Sequence, residues 1–289
     1  MKKFSFFHTR GGSGYIRGVQ MAKYLNELPG VSARCNPISG FENDLCIYVK
    51  VVPPHPNCPK DIPKHTYFDV DDSPKQLEFL KTHPELKVIA ISEYSKEQMS
   101  KILKRDDIIF IPHQHCNFER RLRPPREVKT VGIIGQKSSF QYPVGKFRKM
   151  VEGIGMELKY EEDYWRTYRG DRNREMRLMV SDFYLSLDVQ VIWRPRLYNG
   201  ISEMLPFANP KKLGNSSSFG IPTVMYPEKN AKMEFDGCFL PANTIEEMIE
   251  YLRRLKDDPY FYEDIANKNL ARAEAYHIDN VAQMYLNLP

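Results

Sequence analysis

The chain has 289 residues, 42% of them hydrophobic and 27% charged, with a net charge of +5. That length accommodates two α/β domains with a core each, the composition excludes a disordered or fibrous chain, and no apolar run approaches the ~18 residues of a membrane span. No signal peptide is evident, so a cytoplasmic protein is expected; its five scattered cysteines include no C-x-x-C pair and exclude a disulfide framework.

Short apolar runs alternate with amphipathic stretches from the start. "KFSFF" reads as a first strand and "YIRGVQMAKYLNEL" as a first helix. Between them, "HTRGGSG" places Gly11, Gly12 and Gly14 where glycines let backbone N–H groups approach a phosphate or sugar. Arg17 stands where the third glycine of G-x-G-x-x-G would fall, which disfavours a nicotinamide or flavin site; a plain tight turn is the other reading. The strands "VSARC", "DLCIYVKVV" and "HTYFDV" follow, and the last ends in "FDVDDSP". There Asp69, Asp71 and Asp72 stand at a strand end, the edge where α/β sheets hold ligands. Asp69 and Asp71 share a face of extended backbone and are able to hold Mn2+ or Mg2+ between them. Asp72 or Ser73 is equally placed to cap the next helix, with Pro74 in its first turn.

The alternation continues through "SPKQLEFLKTH", "KVIAIS", "EYSKEQMSKILKR" and "DIIFIP". In "IPHQHC", His113, His115 and Cys116 have metal-capable side chains but no fourth ligand at a recognisable spacing, so they are expected to bond locally or line a pocket. The Arg-rich "NFERRLRPPREVK" then breaks the pattern, which restarts at "TVGIIG". The restart predicts two Rossmann-like domains facing each other across a cleft: residues 1–118, a linker over 119–128, residues 129–275, and a C-terminal helix over 276–289 that packs back on the first domain. Arg120, Arg121, Arg123 and Arg126 in the linker, and Arg166, Arg169, Arg172, Arg174 and Arg177 further on, are able to grip phosphate; a solvated linker and helix face is the plainer reading.

The stretch "KLGNSSSFGIPTV" crowds three serines into a short helix that stops at Phe219-Gly220 and passes through Pro222 into a strand. Serine is a middling helix former, so its use here points to a helix start that comes close to something polar. The arrangement Lys212-Leu-x-Asn215-x4-Gly220-x-Pro222 resembles the donor-site element of GT-B glycosyltransferases, particularly those similar to glycosyltransferase family 4, where K-x-x-E-A-x-x-x-G-x-P is common and a subset carries Asn for Glu. "VIAISEYSKEQM", "IIFIPHQHCNF" and "TVGIIG" resemble the segments that close the first domain and open the second in that family.

This resemblance implies a glycosyltransferase with its nucleotide-sugar donor on the second domain. Lys212 and the helix turn at Ser216 and Ser217 would take the diphosphate, Asn215 would replace the carboxylate that contacts the ribose, and Gly135 and Lys137 would sit where members place basic groups on the same diphosphate. Gly12, Ser13 and Gly14 would line the sugar and diphosphate from the first domain, and Asp69 or Asp72 would be the acceptor-side carboxylate. Metal-independent, retaining transfer is implied, with no cofactor beyond the donor. The family's first glutamate would fall at Phe207, which leaves sugar recognition and the stereochemistry to a neighbour such as Glu203. The acceptor is expected to be a glycan or lipid-linked glycan, with modified DNA a lesser alternative, and peripheral membrane contact is compatible with the charge. Two other readings remain open: a metal-dependent D-x-D enzyme of the GT-A type built on Asp69-Val70-Asp71, and a nucleotide-sugar-binding protein that has lost catalysis.

Overall fold

The computed structural model describes residues 1–9, 11–135, 140–161, 176–195 and 207–289. The chain divides into two compact units, one of Met1–Gln114, Glu203–Asn209 and Ile278–Pro289, the other of His115–Ser202 and Pro210–His277. Among the described residues no helix is long and apolar enough to cross a membrane.

In the first unit the strands β1 (Lys2–His8), β2 (Val31–Cys35), β3 (Leu45–Val49), β4 (Thr66–Val70), β5 (Lys87–Ala90) and β6 (Ile109–Phe110) form one parallel sheet in the order β2-β1-β3-β4-β5-β6. A parallel sheet covered on both faces selects strands that are apolar throughout rather than alternating, and every residue of β4 is buried, Asp69 included. The crossover helices start where the local chemistry says they should. Helix α2 (Pro74–Lys81) has Pro in its first turn and is capped by Ser73, whose hydroxyl accepts the amide of Gln76; Ser92 caps α3 (Glu93–Leu103) in the same way.

The first helix explains one glycine of the run, Gly14, together with Gly18 beyond it. It begins as a π-helical stretch, Gly14–Gln20, and continues as a short α-helix, α1 (Met21–Leu25). Gly14 and Gly18, four residues apart, lie against the end of β1: a Cβ on Gly18 would stand 2.5 Å from Cδ2 of His8, and one on Gly14 2.1 Å from the carbonyl oxygen of Thr9. These glycines are there for close backbone packing. Gly18→Ala is therefore expected to destabilise the protein by about 1–3 kcal/mol, the usual cost of overpacking. Gly145→Ala, in the helix Val144–Gly153 with nothing within 4 Å of the added carbon, is the control without overpacking and should be neutral or slightly stabilising; equal denaturant midpoints for the two variants would refute the packing argument.

The second unit repeats the plan with β7 (Thr130–Ile134), β8 (Glu157–Glu161), β9 (Val189–Ile192), β10 (Thr223–Met225) and β11 (Leu240–Pro241), all parallel in the order β11-β10-β9-β7-β8. Its core joins Val131, Ile133, Val189 and Val191 of the sheet to Phe147 and Val151 of α4 (Val144–Gly153) and to the apolar faces of two later helices, Ile245–Asp257 and Pro259–Ala273.

The arginines of the 119–128 segment are spent within this unit. Arg120 pairs with Glu274, Arg121 with Asp182, and Arg123 and Arg126 both donate to Oδ1 of the buried Asp188, whose Oδ2 accepts the amides of Lys129 and Thr130. Burial opposes ionisation of Asp188, but these donors outweigh it and hold the carboxyl below its usual range. They fasten a strap to the sheet rather than offer a phosphate grip. Of the second arginine cluster only Arg177 is described; it makes a bidentate pair with Glu119.

Candidate functional site

The carboxyl ends of β7, β9 and β10 are the ligand edge of the second sheet. Gly135 follows β7 with φ of 114°, a conformation that favours glycine; Lys137 lies outside the described residues. Helix α5 (Lys211–Ser217) leads into β10, and its end is a Schellman turn: the amide of Ile221 bonds to the carbonyl of Ser216, that of Gly220 to Ser217, with Gly220 at φ of 69°. The Gly-x-Pro of the motif is thus a helix stop.

The serines answer to packing. Ser216 is fully buried and its hydroxyl meets Oγ1 of Thr223 at 2.7 Å, Ser218 donates to the carbonyl of Asn215, and Ser217 is equally buried. This corrects the expectation that the small serines of the turn at Ser216 and Ser217 let a diphosphate approach: both are buried, and their small size lets α5 close onto β10 and the Pro259–Ala273 helix. Asn215 is similarly engaged, its Oδ1 accepting the amide of Cys116 at 2.9 Å.

Lys212 is different. Its ammonium nitrogen is buried and has no hydrogen-bond partner. Burial first, and then the nearby Arg194 and Lys211, push its pKa down to about 7, with Glu228 pulling the other way. A buried ammonium without a hydrogen-bonded anion is unfavourable in folding terms. Arg194 and Glu228 were not among the residues singled out from sequence; no motif marks them, since only the sheet brings them together.

The carboxyl edge of the first sheet holds the other group. Asp69 does not face a substrate: both of its oxygens accept from Nε of Arg17, at 2.8 and 2.6 Å, and Oδ2 also accepts the Tyr285 hydroxyl at 2.8 Å, all three side chains being fully buried. Arg17 spends its remaining nitrogens on the carbonyls of Pro112 and Ile111. Burial alone would lower the arginine's pKa, but Asp69 and its neighbours reverse this and keep the guanidinium charged. The expected acceptor-side role of Asp69 is accordingly replaced by a structural one.

Asp71 meets Nε2 of His113 at 3.0 Å and is also hydrogen-bonded by Ser13; despite burial these partners hold its carboxyl well below the usual range. Gly12, Ser13 and Gly14 thus begin the first helix beside Asp71, not beside Asp69. The two carboxylates of the D-x-D reading turn to separate partners, Arg17 and His113, and among the described residues no group of three or more His, Cys, Asp or Glu is placed to hold a metal ion. His115 and Cys116 belong to the second unit, where burial pushes the imidazole down to about 3 and the thiol up to about 12. Asp72 is the open carboxylate: it is 41% exposed, adopts a left-handed φ of 43°, and pairs with Lys50, which follows β3 with φ of 58°. Phe207, at the place of the missing glutamate, is a core residue packed with Phe7, Tyr48 and Phe68.

No family model matches the chain, and no curated protein matches it. Solved structures do. A glycosyltransferase from Rickettsia africae matches with a TM-score of 0.61 at 12% identity, over 99% of this chain and 97% of that one. Anabaena HepE, solved with UDP and glucose, gives 0.58 at 13% over 99% and 98%. TarM gives 0.56 at 10% over 92% of this chain; the chain spans 57% of TarM and 51% of the chain it matches in the GtfA/B complex. Two Rossmann-like units with these full-length matches place the chain in the GT-B fold.

Proposed function

We propose that this protein is a glycosyltransferase that takes a nucleotide-sugar donor on its second unit and an acceptor hydroxyl on its first. The observation that carries the reading is the buried, unpartnered ammonium of Lys212 at the ligand edge of a sheet in a GT-B fold. HepE was solved with UDP and glucose, and a diphosphate is the anion that such a cation suits. In transfer the sugar–phosphate bond breaks and negative charge grows on the leaving diphosphate, which a preset cation in a water-poor site stabilises. Gly135 and Lys137 belong to the same donor site in this reading, and Asp72 is the acceptor-side carboxylate. The acceptor class proposed is a glycan or lipid-linked glycan. Phe207 leaves no carboxylate at the family's sugar-binding position, so retention is proposed on the family resemblance alone.

The test is nucleotide release. Incubation with UDP-glucose and GDP-mannose and a mixed glycan acceptor should liberate UDP or GDP, and the anomeric signal of the product by NMR gives the stereochemistry. A protein that binds the nucleotide with no turnover against any donor fits the binding-protein reading instead. Metal removal is a further prediction. Because the leaving-group charge is met by side chains, turnover should survive millimolar EDTA with at most about a few-fold loss; a loss restored by Mn2+ would require a metal in the leaving-group role.

A further inference from the structure

Arg194 lies two residues beyond β9 and Glu228 three beyond β10, on adjacent strands of the second sheet. Their ion pair is bidentate, with Nε of Arg194 2.7 Å from Oε1 of Glu228 and Nη2 on Oε2. The glutamate side chain is fully buried. Burying a carboxylate at the end of a strand is costly unless its partner is well placed, and an apolar side chain would close the sheet end more cheaply. What the carboxylate adds is a fixed guanidinium, held by two bonds that leave it little freedom to turn. Lys211 and Lys212 begin the neighbouring helix, and Arg194, Glu228 and Lys211 all act electrostatically on the Lys212 ammonium. With Lys212 protonated, Arg194 and Lys212 form a pair of cations on the same sheet edge, which suits the two phosphates of a diphosphate.

We propose that Glu228 is a positioning residue for the donor diphosphate: it pins Arg194 beside Lys212, so that a fixed pair of cations meets the two phosphates. The inference rests on the donor-site reading given above. It makes a prediction opposite in sign to simple charge counting. Removing a carboxylate beside an anion site should tighten anion binding, because one repulsion is gone. If the carboxylate acts by positioning, its removal frees the guanidinium to turn away, takes a supporting charge from Lys212 and weakens binding.

The experiment is calorimetric titration of UDP, GDP and UMP into the full chain and into Glu228→Gln, Arg194→Lys and the double variant Arg194→Met/Glu228→Gln. The expected result is a loss of about tenfold or more in diphosphate affinity for Glu228→Gln, the scale of one hydrogen bond to a charged group. The UMP affinity should fall less, so the preference for diphosphate over monophosphate shrinks. Arg194→Lys, which keeps the charge and loses the fork, should show a similar loss. The double variant should lose no more than about one such step, because Glu228 acts through Arg194; it leaves neither member of the buried pair charged without the other and keeps the comparison open if a single variant does not fold. Glu228→Gln that binds the wild type's nucleoside diphosphate as tightly as the wild type, or more tightly, overturns the inference while leaving the donor site standing. A wild type that binds neither UDP nor GDP overturns the donor-site reading and this inference with it.

Discussion

Asp69→Asn is expected to cost the protein about 3–5 kcal/mol, the loss typical when one partner of a buried ion pair is removed. The amide keeps the size and shape of the carboxylate, so no cavity opens. What changes is that Arg17, fully buried and always charged, is left with carbonyl oxygens and no directly bonded anion. Against a total stability of about 5–15 kcal/mol, that loss should lower the melting temperature by roughly 10 °C, or prevent folding of the first unit. Tyr285→Phe removes one hydrogen bond from the same carboxylate and should cost only about 1 kcal/mol. The double replacement Arg17→Met/Asp69→Leu, which removes both charges, should be far less harmful than either single change. Differential scanning calorimetry separates this structural role from a catalytic one: an Asp69→Asn protein that melts with the wild type but has lost turnover would return the carboxylate to the acceptor.

Lys212→Met should move stability and nucleotide affinity in opposite directions. The methionine retains the apolar stem and discards a buried amine, so at neutral pH the unliganded variant should be at least as stable as the wild type. Its affinity for UDP or GDP should fall by about 1.5–3 kcal/mol. The pH dependence carries the same signature. The amine titrates near 7 in the folded protein and near ~10.4 in the unfolded chain, so between those values the unfolded state holds the extra proton. Stability of the unliganded wild type should therefore rise with pH across that window, by at most about 1.4 kcal/mol per unit. Below pH 7 the amine is charged in both states and the slope from this group vanishes. A bound diphosphate favours the charged amine, so binding above pH 7 should take up a proton and weaken by up to about tenfold per unit. Titrations in buffers of different ionisation enthalpy measure that proton directly; no uptake at pH 8 by the wild type, or equal uptake by Lys212→Met, would remove the lysine from the site.

The fold was legible because its signals are local. Strand and helix alternate visibly, Ser73 and Pro74 announce α2, and Gly220 followed by Pro222 ends α5 before a strand. Lys212 also carried its own signal through the motif around it. Partnerships between distant residues carried none. Arg17 read as a departure from a glycine pattern, yet it is the cation that claims Asp69, fifty-two positions away. Asp69 and Asp71 sit two apart in sequence and were paired on that ground, but the sheet and the first helix hand one to Arg17 and the other to His113. The serines of α5 looked like an opening for a ligand, whereas their size serves the contact with Thr223 and the helix behind. In each case the residue type and spacing permit two roles, and the choice lies with whichever side chain arrives from another part of the chain.

The order in which this protein is synthesised differs from the order in which its parts can be finished. Tyr285 closes the Arg17–Asp69 pair, and Lys2 in the first strand donates to the carbonyl of Leu286, so residues 278–289 belong to the unit that starts at Met1. On the ribosome the six strands of that unit emerge first, but Asp69 waits for Tyr285 until the whole of the second unit has been made. The closing segment of the first unit therefore arrives last, after every residue of the second unit has been made. A chain cut before Ile278 would lack both the Tyr285 hydroxyl on Asp69 and the carbonyl that Lys2 holds.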